Sequence, residues 1–180
     1  MPLVCAARIR NYYGRHNESV NAVLGAGLYI HGMAAIRECR LDDFPHVIEL
    51  LHQLWPSIEL DVDRLRAAFR RGLQGKAQRY LCAEDDGRVL GFCSLTLKNS
   101  LWQQGFLAHI DELVVDESVR GRGIGTELLV AAIEVAKRQN ASRIELDSGF
   151  HRTSAHRFYE QRGFQNRGYL FSAKLSDFAT

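Results

Sequence analysis

Residues 108–125 read AHIDELVVDESVRGRGIG, and the fold turns on how this stretch divides. Ala108 to Val115 is rich in Ile, Leu and Val, the composition of a strand. Glycines then fall at 121, 123 and 125, after which Ile124, Leu128, Ala131, Ala132 and Val135 keep helical spacing as far as Asn140, a C-terminal stop. The stretch therefore predicts a strand, a glycine turn and a helix. Glycines at such a turn let the backbone bend tightly and approach a ligand closely. The first amides of a helix have no intrahelical acceptors and sit at the positive end of its dipole, so phosphate oxygens are their natural ligand. Arg120 and Arg122 add positive charge beside them. Taken alone, such a turn is equally a structural device. Its GxGxG spacing meets neither the GxGxxG dinucleotide fingerprint nor the GxxxxGK[ST] phosphate loop.

Upstream, Ala35 to Arg40 reads as a short strand, followed by Asp42 as a helix N-cap and Pro45 in the first turn. Val47, Leu50, Leu51 and Leu54 recur at helical spacing until Pro56 stops the helix. A second amphipathic helix follows, with Asp61 as its cap, Leu65, Phe69 and Leu73 on one face, and Gly72 and Gly75 marking its end. Tyr80 to Glu84 and Val89 to Leu97 are strand-like runs joined by Asp85, Asp86 and Gly87, a hairpin signal. Lys98 to Gly105 is polar and irregular. Downstream, Arg143 to Asp147 reads as a strand, Ser154 to Arg162 as a helix ending at Gly163, and Phe164 onward, with Tyr169, Phe171 and Leu175, as a closing hairpin. This order predicts an α+β fold, without the regular alternation of a doubly wound sheet.

The chain has 180 residues, 46% apolar and 24% charged, which suits one ordinary globular domain and not a disordered or repetitive chain. Twenty-three basic and twenty-one acidic residues leave a charge of +2, so no basic stripe points to nucleic acid. Cys5, Cys39, Cys82 and Cys93 have neither CxxC nor metal-ligand spacing, so neither a disulfide framework nor a metal site is expected, and a reducing cytoplasm is the default location. Cys82 and Cys93 lie in strand-like runs and are expected to be buried. Residues 1–32 carry Arg8, Arg10 and Arg15 ahead of an apolar stretch from Ala22 to Ile30. Asn21, Gly25 and Gly27 weaken a secretory-leader reading, and the stretch falls short of the ~20 residues that span a bilayer, so no membrane association is expected. Residues 1–32 are expected to be an upstream extension, with residues 33–180 forming the domain.

Two motifs carry a resemblance. Arg120, Gly123 and Gly125 match the [QR]xxGx[GA] signature, and Ala155, Phe158, Tyr159, Gly163 and Phe164 look like an AxxFYxxxGF element. Together they resemble the GNAT superfamily of acetyl-CoA-dependent N-acetyltransferases over roughly Met33 to Leu175. The resemblance implies a mixed, mostly antiparallel sheet with a splayed centre and flanking helices. It implies that Arg120, Gly121, Arg122, Gly123, Ile124, Gly125 and Thr126 hold the pyrophosphate of acetyl-CoA, and that freed backbone groups of Leu113, Val114 and Val115 bond its pantetheine arm. Many relatives have Asn where this chain has Arg152, so a cofactor contact there does not carry over. Family members commonly dimerise, which leaves a homodimer open.

Acetyl transfer to an amine needs a neutral nitrogen, an acceptor for its proton, a group polarising the carbonyl and a proton for the departing thiolate. A primary amine of pKa ~10 is mostly protonated at neutral pH, so a carboxylate would help expose its lone pair. Asp111 and Glu112 are the candidates. Side chains alternate along a strand, so these two face opposite sides unless a bulge intervenes; Glu112 is favoured, and His109 is a further candidate. Each is equally readable as a solvated or ion-paired residue. By resemblance, Tyr159 protonates the thiolate and a backbone N–H near Val115 polarises the carbonyl, with no metal required.

Acceptor choice is expected to lie in the segment between the first two helices, where Trp55 and Glu59 are candidate substrate contacts. Leu54-Trp55-Pro56 is similar to a segment of some aminoglycoside 6'-N-acetyltransferases. A small-molecule amine is the preferred acceptor. A protein lysine or N-terminal amine, or a non-catalytic acetyl-CoA sensor, are the alternatives.

Overall fold

The computed structural model describes residues 29–31 and 34–178. Most of the 1–32 extension, and Cys5 with it, lies outside the described residues, although Tyr29–His31 forms a strand, β1. Described residues up to Leu146 belong to one compact unit and those from Asp147 onward to a second. No helix among the described residues is long and apolar enough to cross a membrane.

The first unit is a six-stranded sheet in sequential order: β1, β2 (Ala34–Glu38), β3 (Gln78–Asp85), β4 (Arg88–Ser100), β5 (Gly105–Val115) and β6 (Ala141–Leu146). All neighbours are antiparallel except β5 and β6, which are parallel. Between β3 and β4 only Asp86 and Gly87 turn the chain, both at positive φ (46° and 78°), the conformation a two-residue hairpin loop demands. The segment read as irregular from Lys98 is shorter than expected. β4 and β5 extend to Ser100 and Gly105 because their backbones stay paired to the turn, Ser100 opposite Gly105, whatever the polarity of their side chains.

Helices α1 (Phe44–Leu54) and α2 (Val62–Gln74) cover one face. Phe44, Val47, Leu50 and Leu51 of α1 and Phe69 of α2 pack there with Cys82, Phe92 and Val114. Helix α3 (Ile124–Arg138) covers the other: Gly91, next to Phe92 and so on the opposite face, lies under Ile124 and Leu128 so closely that a Cβ would come within 2.8 Å of Leu128. Long β4 is consequently buried on both faces over most of its length. Cys39, Cys82 and Cys93 are buried free thiols.

Asp61 caps α2 as expected, accepting from the Arg64 N–H at 3.0 Å. At α1 the expected cap is corrected. A 3-10 turn, Leu41–Asp43, precedes the helix, and buried Asp43 rather than exposed Asp42 is the structural carboxylate. Arg37 on β2 grips Asp43 through both terminal nitrogens (2.7 and 2.8 Å) and Glu84 on β3 through Nε (2.6 Å). The Arg40 N–H also donates to Asp43, at 2.6 Å. Cys39 and Cys82 lie within ligand distance of Asp43, but both Asp43 oxygens are already engaged by Arg37.

In the second unit, α4 (Thr153–Glu160) ends near Gly163, whose φ of 90° lets the chain turn back. The expected closing hairpin is absent: among the described residues, 164–174 form no strand, and Leu175–Phe178 is a 3-10 turn. Tyr169, Phe171 and Leu175 are 76%, 90% and 88% exposed. Alternating apolar residues make a strand only where a neighbouring backbone takes up their hydrogen bonds, and none among the described residues does so.

Candidate active site

The parallel pairing of β6 with β5 reaches only Ile110, opposite Leu146, so residues 111–115 of β5 are unpaired on that side. This is the splay expected of the sheet centre; it leaves backbone edge of Leu113 and Val115 facing away from β4, whereas Val114, opposite Phe92, turns its backbone groups toward β4, as the Asp116 N–H to Leu90 carbonyl bond two residues on shows. The Val115 carbonyl is partly used, accepting from Arg120 Nε at 3.0 Å. Asp116 then caps a short turn, taking the Ser118 N–H at 2.9 Å while pairing with Arg88 at 2.9 Å. These contacts hold the chain as it enters the glycine loop.

Gly121 and Gly123 have φ of 83° and 94°, a left-handed region that side chains disfavour, and Gly123 is the N-cap of α3. A Cβ at either position would meet no protein atom within 4 Å, so the loop surface is open. Among the described residues, nothing accepts the N–H groups of residues 121–125, whereas those of Thr126 and Glu127 turn inward to the Gly123 carbonyl (2.8 and 3.1 Å). A row of free amides at a helix start, flanked by Arg120 and Arg122, fits the pyrophosphate of a CoA ester.

On the α1/α2 face of the sheet, a register shift opposes Ser94 to Glu112 and Leu95 to Ile110, leaving Asp111 as the extra residue of a bulge. The bulge decides the question of sidedness. Asp111 and Glu112 both line a cavity of about 340 Å³ instead of pointing to opposite faces. Buried Ser94 donates its hydroxyl to Glu112 Oε2 and accepts the Glu112 N–H at 3.2 Å. Burial pushes the Glu112 carboxyl above its ordinary range; the Ser94 hydrogen bond opposes this, and the neighbouring Asp111 charge adds to it. Asp111 is more exposed and already engaged, by Thr96 Oγ1 at 2.6 Å and by His109 Nδ1 at 2.9 Å. Of the two carboxylates, Glu112 combines burial, cavity access and a raised proton affinity, the properties a general base needs.

Thr96 and Gln78, opposite each other on β4 and β3, also line the cavity, and its remaining walls are largely apolar. Trp55, at the end of α1, and Leu65, Ala68 and Phe69 of α2 face Tyr80 and Phe92 across it. Glu59 is exposed between the helices and does not line it. In the second unit, half-buried Tyr159 of α4 sits edge-on to Phe158 (5.2 Å) and tilted against Phe164 (5.6 Å). Arg152 is the N-cap of α4. Sequence reasoning missed Ser94, a small residue in an apolar strand whose partner lies eighteen positions away.

A family model described as the acetyltransferase (GNAT) family matches residues 29–164. The chain belongs to the GNAT acetyltransferase family. The match starts a few residues ahead of Met33 and spans both motifs, making this an acetyl-CoA-dependent N-acetyltransferase. The acetyltransferase is 32% identical over 140 residues to the aminoalkylphosphonate N-acetyltransferase of Salmonella typhimurium, covering 78% of this chain and 90% of that protein. It is 29% identical over 132 residues to the glucosamine 6-phosphate N-acetyltransferase of Trypanosoma brucei brucei, covering 72% and 88%. A solved aminoglycoside N-acetyltransferase in complex with CoA superposes with a TM-score of 0.71 over 85% of this chain and 99% of that one; at 20% identity it supports the fold alone.

Proposed function

We propose that this acetyltransferase acetylates the primary amine of a small molecule by direct attack within a ternary complex, with Glu112 as general base. The observation that carries this reading is Glu112, held by buried Ser94 at the polar end of an otherwise apolar cavity. A cavity of about 340 Å³ between two helices and a sheet suits a small acceptor better than a peptide chain.

Acetyl-CoA supplies an activated acyl carbon and a thiolate leaving group. Glu112 takes a proton from the incoming ammonium, directly or through one water, and frees the nitrogen lone pair. The nitrogen forms a bond to the acyl carbon as the bond from carbon to sulfur breaks, and the second proton it then sheds restores, through solvent, the one that Tyr159 gives up. A backbone N–H near Val115 stabilises charge on the acyl oxygen, the Gly121–Gly125 loop anchors the pyrophosphate, and the Tyr159 hydroxyl returns a proton to the sulfur. Support for Tyr159 comes from its place in the AxxFYxxxGF motif.

Steady-state kinetics of Tyr159→Phe test this assignment. Turnover is expected to fall by about 10²-fold or more, the usual size of a general-acid contribution, with acetyl-CoA affinity retained. Wild-type turnover would remove Tyr159 from the reaction.

A further inference from the structure

We propose that the acceptor is an arylalkyl monoamine, a primary amine on an aromatic arm that carries no anionic group. This rests on the transfer reading above and specifies what the same site accepts. The cavity has two chemically distinct ends. At one, Glu112 and Asp111 stand side by side because of the bulge, with Ser94, Thr96 and, opposite Thr96, Gln78 beside them. At the other, the rings of Trp55, Phe69 and Tyr80 and the side chains of Leu65 and Ala68 present apolar surface.

Among the described residues, no Lys, Arg or His lines this cavity; Arg64, Arg66, Arg70 and Arg71 of α2 are all exposed, and Arg66 lies over the ring of lining residue Phe44, 4.6 Å from its centroid. The site therefore offers negative charge to an ammonium group and aromatic faces to its arm. A phosphate or phosphonate on the same molecule would have to enter beside two carboxylates with no cation among the described lining residues to receive it, and like charges brought together repel. A second ammonium, as in a polyamine, would find ring faces but no carboxylate at the aromatic end, a weaker return for the water it loses. Aromatic rings, by contrast, gain from offset or edge-on contact with such walls. Ala68 and Leu65 on α2, both half-buried, are thus the specificity-determining positions.

The test compares initial rates of acetyl-CoA-dependent thiol release by the full chain with phenylethylamine, tyramine, spermidine, aminoethylphosphonate and glucosamine 6-phosphate. The arylalkyl amines should exceed both phosphorus-bearing amines in kcat/KM by about 100-fold or more, the factor set by like-charge exclusion. A phosphorus-bearing amine or spermidine matching or exceeding them would overturn this inference and leave the transfer reading standing. Thiol release with none of a broader set of amines would overturn both. Ala68→Arg places a cation on the cavity wall and should lower kcat/KM for phenylethylamine about 10-fold while raising it for aminoethylphosphonate. Unchanged values for both acceptors in a folded variant would overturn the inference, and the wild-type comparison decides it if the variant does not fold.

Discussion

At Gly72, helix propensity and packing pull in opposite directions. The residue lies buried inside α2, where Ala is intrinsically favoured over Gly by about 0.8–1.0 kcal/mol. A Cβ at this position would lie 2.0 Å from the Tyr80 hydroxyl oxygen, 2.4 Å from Cζ and 2.6 Å from Cε2. The ring cannot yield freely, because it stacks on Phe69 at 5.1 Å and 8° and lies 5.7 Å from Phe92. Overpacking of this kind costs about 1–3 kcal/mol, and disturbing an aromatic pair about 0.5–1.5 kcal/mol more. Packing wins, and Gly72→Ala should destabilise the protein by about 2 kcal/mol net of the propensity gain. For a chain of this size that is a fall in Tm of roughly 4–8 °C, read by far-UV circular dichroism with a urea titration alongside. Because Tyr80 lines the cavity proposed to take the acceptor, KM for the amine should rise in the same variant. A Tm equal to or above that of the wild type would refute the packing account.

Ser94→Ala removes the hydroxyl that donates to Glu112, so the carboxyl will hold its proton more tightly and the acid limb of the kcat/KM profile should move to higher pH. Asp111, His109, Tyr80 and Cys93 are the other titratable groups near Glu112 among the described residues, and an unmoved limb would show that burial and the charges of Asp111 and His109, not Ser94, set its proton affinity. Asp43→Asn should cost about 3 kcal/mol at neutral pH, the lower end for breaking a buried pair, since Arg37 keeps Glu84. Burial would raise the Asp43 carboxyl, but the Arg37 and Arg40 hydrogen bonds prevail and hold it below its ordinary value. Its contribution is therefore present above the unfolded value of about 3.9 and is lost as pH falls through the folded one. Urea titrations should find the gap between wild type and Asp43→Asn closing in that acid range, and a gap independent of pH would contradict the ion-pair account.

Features set by a few neighbouring residues were legible in the sequence. Asp86-Gly87 marks its hairpin because both residues tolerate positive φ, and Asp61 marks the start of α2 because its side chain reaches an amide three residues on. The glycine loop was legible for the same reason. Features set across the sheet were not. Asp42 and Asp43 are equivalent locally, and Arg37, reaching from β2, selects Asp43. The bulge at Asp111 has no glycine or proline to announce it, so the placing of both carboxylates in one cavity emerges only from the pairing of β4 with β5. Ser94 becomes functional through that same register. Conversely, the alternation around Tyr169 and Phe171 reads as a strand locally, yet no backbone among the described residues pairs with it.

The central claim is that Glu112 receives the amine's proton, and the most direct measurement of it is the turnover of Glu112→Gln against wild type across pH, with acetyl-CoA affinity followed by calorimetry. At neutral pH turnover should fall by about 10²–10⁴-fold while acetyl-CoA affinity is unchanged. The deficit should narrow as pH approaches the amine's own pKa of about 10, where the nitrogen is neutral without help. Wild-type turnover by Glu112→Gln at neutral pH would contradict the account.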